Sequence, residues 1–408
     1  ETTEADLSRI VEELEKLKEE TLEEETEEEK PYILTKEDEE KARVFLKNPN
    51  LIQAILDDFH QLGLVGEESN KLLGYLTTVS RKLESPLSLI IVSQSGAGKS
   101  HLAEVLEWVL PPQDCIQLSR ISPQALYYMD KDALKNKVLI IEEKEGSRDA
   151  DYSIRVLQSK KSLKLAVVLK DPITGKLKTR IFEVEGPLSV IETTTKTNHN
   201  PENTSRVFIL YLNESEDQTK DIHKSQKRKR KIEFLKDKPK VMEILLKHRA
   251  VQTLLKPIHV VIPYVDYIHF PTKWIRTRRD HEKFLNLLEV TTYLFQYQRE
   301  LKKEGEVEYI ESALEDYSIV YSLTKDILGD TLSELPKPTE DFFQKLKLAS
   351  EAHKKKTFTR RDIRNLLGLP DHVVRTHLEI LTQMEYLLVI EGKNGVRFEY
   401  SINEAPLE

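Results

Sequence analysis

The chain has 408 residues, more than one hydrophobic core ordinarily organises, so two or three domains are expected. Apolar residues make up 39% and charged residues 32%, with a formal net charge of -8, an ordinary globular balance with a strongly hydrated surface. The single cysteine, Cys115, excludes a disulfide framework and a cysteine metal site, and no run is long and apolar enough to span a bilayer, so the expectation is a cytoplasmic protein without a membrane partner.

Residues 1–35 carry six glutamates between Glu23 and Glu29 and few apolar anchors, which reads as an acidic linker or frayed helix closed by Pro31. The chain opens on Glu1 rather than Met and closes on a vector-like Leu407-Glu408, so further sequence is expected upstream. Over 36–85 the apolar spacing is helical. Leu51, Ile52, Ile55, Leu56 and Phe59 form one stripe and Leu72, Leu73, Leu76 and Val79 another, predicting a helical N-terminal subdomain.

The period changes at Leu87–Val92 (LSLIIV), a continuous apolar run expected of a strand covered on both faces. A second such run is Val138–Ile141, and Leu188–Ile191 and Val207–Leu212 are further strand candidates. Leu163–Lys170 and Leu177–Val184 flank a turn-rich Asp171–Lys176, the pattern of a β-hairpin. Strands alternating with helices predict an α/β core over 86–215 with a parallel sheet.

Between the first strand and the helix after it stands Ser93–Ser100, SQSGAGKS. Binding a triphosphate calls for backbone N–H groups turned inward, a lysine at the β and γ oxygens and a hydroxyl for Mg²⁺. Gly96 and Gly98 give the tight backbone, Lys99 the charge and Ser100 the metal ligand, while Ala97 and His101 complete the passage from loop to helix. Ser93 occupies the position where glycine is usual. ATP and Mg²⁺ are therefore the expected cofactors. About forty residues on, VLIIEE ends a buried strand in two carboxylates, Glu142 for the metal side and Glu143 to polarise the attacking water. Thr193 and Thr194, at the end of LSVIE, would orient that water. Arg206, just before the next strand, would reach a neighbouring subunit's nucleotide and neutralise transition-state charge.

Over 216–335 a basic loop (KRKRK, Lys227–Lys231) leads into helices read as a helical lid. Over 336–408 Thr359 caps a helix to Leu367, Asp371 caps a second to Met384, and strands 386–390 and 396–402 close a winged-helix pattern. Arg375 lies on the exposed face of the second helix, and Lys393 on the wing. The hairpin cations Lys170, Lys176, Lys178 and Arg180 are candidate contacts to nucleic-acid phosphates.

Taken together, the loop, the acidic pair, the hairpin, the polar strand end and the arginine resemble the AAA+ ATPases. The resemblance is to the branch with a hairpin before the polar sensor strand, which holds minichromosome-maintenance and superfamily 3 helicases; it covers about 65 to 300. GEESNKLLGYLTTVSRKLESPLSLIIVSQSGAGKS and RRDHEKFLNLLEVTTYLFQYQRE are similar to helicase modules that follow a primase in some bacterial and mobile-element proteins. The resemblance implies Glu143 as catalytic base, Thr193 or Thr194 as first sensor, Arg206 as finger in trans, and Arg278 or Arg279 as second sensor on the lid. It further implies a homo-oligomeric ring acting as a DNA helicase or translocase, with a primase domain or partner upstream. Two other classes stay open: a regulatory AAA+ switch that remodels a protein on DNA, and a nucleotide-gated scaffold.

Overall fold

A computed structural model of the protein describes residues 31–122, 124–142, 150–170, 176–196, 204–270, 272, 277–332, 335, 337–353, 356–384, 386–392 and 398–403. The acidic stretch 1–30, Glu143, the hairpin tip 171–175 and Lys393 lie outside the described residues.

Three helices precede the sheet: α1 (Lys36–Leu46), α2 (Leu51–Gln61) and α3 (Glu68–Ser80). Thr35 starts α1 by accepting from the Asp38 amide, with three acids in the first turn, as the helix dipole favours. The predicted stripe of α2 is its buried face, Leu51, Ile55 and Phe59. From Asn70 to Ser80, α3 is buried on every side and forms a central strut.

The sheet follows with β1 (Leu89–Val92), α4 (Lys99–Trp108), β2 (Cys115–Leu118), β3 (Lys137–Ile141), α5 (Asp151–Lys160), a hairpin β4 (Ser162–Lys170) and β5 (Leu177–Glu185), β6 (Leu188–Thr194) and β7 (Phe208–Tyr211). Its five strands run in the order β2-β3-β6-β1-β7, all parallel. β1 and β3 read as near-continuous apolar runs because both faces are covered. Leu89, Ile91, Val138 and Ile140 join one buried cluster, and their neighbours Leu139 and Ile141 join another on the opposite face. The hairpin stands outside this sheet as a separate two-stranded ladder, Leu163 opposite Val184 near its base and Lys170 opposite Leu177 near its tip.

Beyond the sheet come α6 (Glu216–Arg228), α7 (Ile232–Leu254), β8 (His259–Val261), α8 (Thr277–Leu294), β9 (Lys302–Glu304), β10 (Val307–Glu311) and α9 (Leu314–Leu332). Two expectations change here. The basic run is only partly a loop: Ser215 caps α6 by accepting from the Gln218 amide, Lys227 and Arg228 form its last turn, where cations suit the dipole, and Lys229, Arg230 and Lys231 make the turn into α7. The stretch is also not purely helical, since β8, β10 and β9 form a small sheet whose strands of three to five residues are too short to show a period. The larger buried cluster takes residues from Ala42 through Leu106 and Phe208 to Ile327, so segments 36–85, 86–215 and 216–335 share one core.

The C-terminal unit is α10 (Lys337–His353), β11 (Thr357–Thr359), α11 (Arg360–Leu367), α12 (Asp371–Gln383), β12 (Leu387–Glu391) and β13 (Glu399–Ile402), its strands in the order β11-β13-β12. Thr359 and Asp362 form a reciprocal capping box on α11, and Gly368 ends it in the left-handed region. Asp371 is the first helical residue of α12 rather than its cap; Pro370 holds the cap position, its fixed φ already suited to a helix start. This unit has its own buried cluster, centred on Phe342, Phe358, Ile363 and Leu378.

Candidate nucleotide site

The loop after β1 lies at the carboxyl edge of the parallel sheet, where open α/β folds bind ligands. Gly96 and Gly98 have φ of 87° and 104°, conformations that cost a side-chain-bearing residue strain, and Gly98 caps the start of α4. A Cβ placed on either would meet nothing within 4 Å, so the backbone faces open space on that side. Ser93 needs no glycine. Among the described residues the non-glycine positive φ values belong to Glu67, Asn136 and Lys161, so the substitution at the loop's first position carries no strain.

Lys99 folds back across its own loop, donating to the carbonyls of Ser93 and Gln94, both at 2.8 Å. Burial lowers its pKa, and the Glu214 carboxylate pulls the other way. Glu214 also accepts from the Gln94 amide at 2.7 Å, so one carboxylate steadies both loop and lysine. Sequence reasoning missed this residue, because it follows β7 and meets the loop only through the pairing of β1 with β7. Ser100 is exposed on the first turn of α4 beside the loop, and Ala97 is half-buried within it.

Parallel pairing brings the polar strand ends together. β6 lies between β1 and β3, so Thr193 faces the end of β1 and its hydroxyl donates to the carbonyl of Glu142. Thr194 is buried beside it, its carbonyl accepting from the Ser93 amide at 3.3 Å. The Glu142 carboxylate accepts from Gln117 Nε2 at 2.7 Å. A further acid stands in this row: Glu192 is only 4% exposed, with Ile90 and Ile141 as its cross-strand partners. Its signal in the sequence was a charge inside an apolar strand, LSVIETT.

Arg206 does not join this group. It precedes β7, whose start pairs with the start of β1, so it stands one strand length from the loop, at the opposite edge of the sheet. Its Nε donates to Ser159 Oγ at 3.1 Å. Arg279 lies at that same edge, donating to Ser205 Oγ, and Arg278 is exposed beside it. One or the other was expected as the second sensor on the lid; Arg279 stands at the end of the sheet away from the loop of its own chain, since α8 begins at Thr277 and packs where β7 begins.

Among the hairpin cations, Arg180 stacks its guanidinium over the Phe182 ring, 4.9 Å from the centroid. Lys170, Lys176 and Lys178 are exposed toward the tip. Arg375 lies 3.6 Å from Glu379 on the exposed face of α12.

A glycine-rich loop between a buried parallel strand and a helix, with a lysine and a hydroxyl on the first turn, fits a nucleoside triphosphate: the open cradle at Gly96 and Gly98 has room for phosphates, Lys99 would balance their charge, and Ser100 and Glu142 would be the oxygen ligands for Mg²⁺. Fold and site together define a P-loop NTPase. The match to known families is specific: residues 33–255 fit the MTBMA_p00010 P-loop domain, and the chain belongs to that family. No curated protein matches the chain.

Proposed function

We propose that the protein is an AAA+ ATPase that moves on DNA as a helicase or translocase. The observation carrying this reading is the strand order β2-β3-β6-β1-β7, with the phosphate loop after β1 and a cationic hairpin inserted directly before β6. That order sets Thr193 against the Glu142 carbonyl next to the loop, where a hydroxyl can hold the water that attacks the γ-phosphate. Glu143, next in the chain, serves as the base. Lys99 would offset the charge that builds on the phosphoryl oxygens, and Ser100 and Glu142 would hold a Mg²⁺ that adds to it.

Arg206 and Arg279, on the edge away from their own loop, suit a ring in which each subunit completes its neighbour's site. The hairpin, rooted at the end of α5 where Arg206 meets Ser159, would pass hydrolysis on to a bound strand through Lys176, Lys178 and Arg180. In the winged-helix reading of the C-terminal unit, a partner protein suits the wing better than a DNA groove does. Leu388, Val389 and Ile390 are exposed on β12, and Arg375 stands beside Glu379.

The test is ATPase turnover with and without single-stranded DNA. Turnover should rise several-fold with the strand, and Lys176→Ala with Lys178→Ala should remove the rise while leaving basal turnover intact. A rate indifferent to DNA at low salt overturns the helicase reading. Sharing of sites is tested by mixing Arg206→Ala with Lys99→Ala: two inactive variants regain turnover together only if the arginine works in trans.

A further inference from the structure

Helix α3 starts at a residue unsuited to start it. The position before a helix ordinarily has extended backbone and a Ser, Thr, Asp or Asn whose side chain accepts from the first amides. Glu67 stands there instead, in the left-handed region at φ 64° and ψ 34°, and its side chain caps none of its own helix's amides. That backbone costs a non-glycine residue free energy. The other described non-glycine residues with positive φ have ordinary reasons for it: Asn136 is a type that tolerates the region, and Lys161 ends α5, where helices commonly turn left-handed.

The Glu67 carboxylate serves a distant segment. One oxygen accepts from the backbone amide of Asn213, 146 residues on, at 2.6 Å, and the other from Asn70 Nδ2 at 2.5 Å. Asn70 is buried on the first turn of α3, and the same nitrogen donates to the Tyr211 carbonyl at 3.0 Å. Burial raises the Glu67 pKa against the pull of these two donors, a second cost borne at one residue. The segment so held joins β7 to α6. Asn213 accepts from the Ser215 amide at 2.9 Å, and Gln218 Nε2 donates back to the Val65 carbonyl at 2.6 Å. Residues 65–67 therefore grip the connection on both sides of Glu214, the residue that accepts from the Gln94 amide of the phosphate loop and draws on Lys99.

We propose that Glu67 is a positioning residue for the triphosphate site, holding the chain after β7 so that the Glu214 carboxylate meets the phosphate loop. The proposal rests on the P-loop reading and adds a residue that lies outside its motif. Glu214 is exposed on a short connection. Released from Glu67, that connection would sample many positions and hold the Gln94 amide for only part of the time. Water screens the repulsion between an exposed carboxylate and phosphate, whereas a loop already fixed in its binding shape loses less entropy when it binds. The second effect outweighs the first, so loss of the Glu67 carboxylate weakens the triphosphate.

Calorimetric titration of the full chain with ATP tests this. Glu67→Gly and Glu67→Asn both suit the left-handed backbone, and neither side chain reaches Asn213. Their thermal midpoints without nucleotide should stay near that of the unaltered protein, while ATP affinity falls about fivefold. Glu67→Gln keeps an oxygen for the Asn213 amide and should retain most of the affinity. Glu214→Ala should lose as much as Glu67→Gly, and the two together should bind no more weakly than Glu214→Ala alone, because residues that act through one another do not add. Hydrogen exchange at the Gln94 amide should quicken in Glu67→Gly. Lys99→Ala stands as the separate control: ATP binding that ignores it means the loop reading itself has failed, whatever Glu67 does. Full ATP affinity in both Glu67→Gly and Glu67→Asn, or losses that multiply in the double variant, overturns the proposal.

Discussion

Lys99 turns its ammonium onto the carbonyls of Ser93 and Gln94, so phosphate must displace two hydrogen bonds that the loop already makes. Binding therefore exchanges partners rather than ordering a free side chain, which limits the entropy lost. Lys99→Ala removes the ammonium group of the loop; triphosphate affinity is expected to fall at least a hundredfold by calorimetry, with thermal stability nearly unchanged. A different residue group governs stability. Asp58 accepts from Lys247 at 2.6 Å and from His248 Nε2 at 3.0 Å, and the other ring nitrogen of His248 faces the Tyr75 hydroxyl at 3.0 Å. Burial works to raise the Asp58 pKa, but His248 and Lys247 outweigh it and hold the carboxyl below its usual value. Burial likewise lowers the His248 pKa against the pull of Asp58, so the ring is neutral, donating to Asp58 and accepting from Tyr75. This network ties α2, α3 and α7 together inside the main core. Asp58→Ala leaves Lys247 and His248 without their acceptor, and urea unfolding should report a loss of about 3 kcal/mol.

Among the elements, the hairpin and α12 differ in how their chemistry was signalled. Alternation in β4 and β5, with a turn-rich tip, marked the hairpin from sequence, and every predicted strand residue from Leu163 to Val184 outside the tip lies in the ladder. The inward face of α12 gave no such signal. His377 there is nearly buried, stacked on Phe342 at 4.8 Å with its Nδ1 3.0 Å from the Thr339 hydroxyl. Burial pushes its pKa down to about 4. An unfolded histidine titrates near about 6.5, so between these values the unfolded chain binds more protons than the folded one. The stability that His377 confers is whole above pH 6.5 and is lost as pH falls toward 4. Thermal denaturation of the C-terminal unit should show its midpoint falling over that window. His377→Phe, which keeps the ring packing, should flatten the dependence.

At the scale of the molecule, two sets of buried residues do not merge. The main core runs from α1 to α9, and the cluster of α10 to α12 with β11 and β12 stands apart. Separate cores unfold separately. A fragment covering 335–408 is expected to fold alone, with helical circular dichroism and a cooperative transition matching one of two seen calorimetrically in the whole chain. By contrast, a cut between 85 and 86 divides the main core and should yield no stable piece, because α3 passes through it fully buried.

Local pattern alone determined the phosphate loop, the apolar strands, the hairpin and the Thr359 cap of α11, since each depends on spacing within a few residues: two glycines before a lysine, a period of two, a threonine three positions before an aspartate. Tertiary structure decided everything that depends on which strand lies beside which. Thr193 meets the Glu142 carbonyl only because β6 pairs with β3, and Glu214 reaches the loop while Arg206 and Arg279 fall on the far edge only because β1 pairs with β7, more than a hundred residues away in the chain. Alternation of apolar residues says that a strand is buried but not what it is buried against, because hydrophobic burial has no direction. The same holds at the phosphate loop: SQSGAGKS has the spacing of a phosphate cradle, and only the pairing of β1 with β7 brings the Glu214 carboxylate to it.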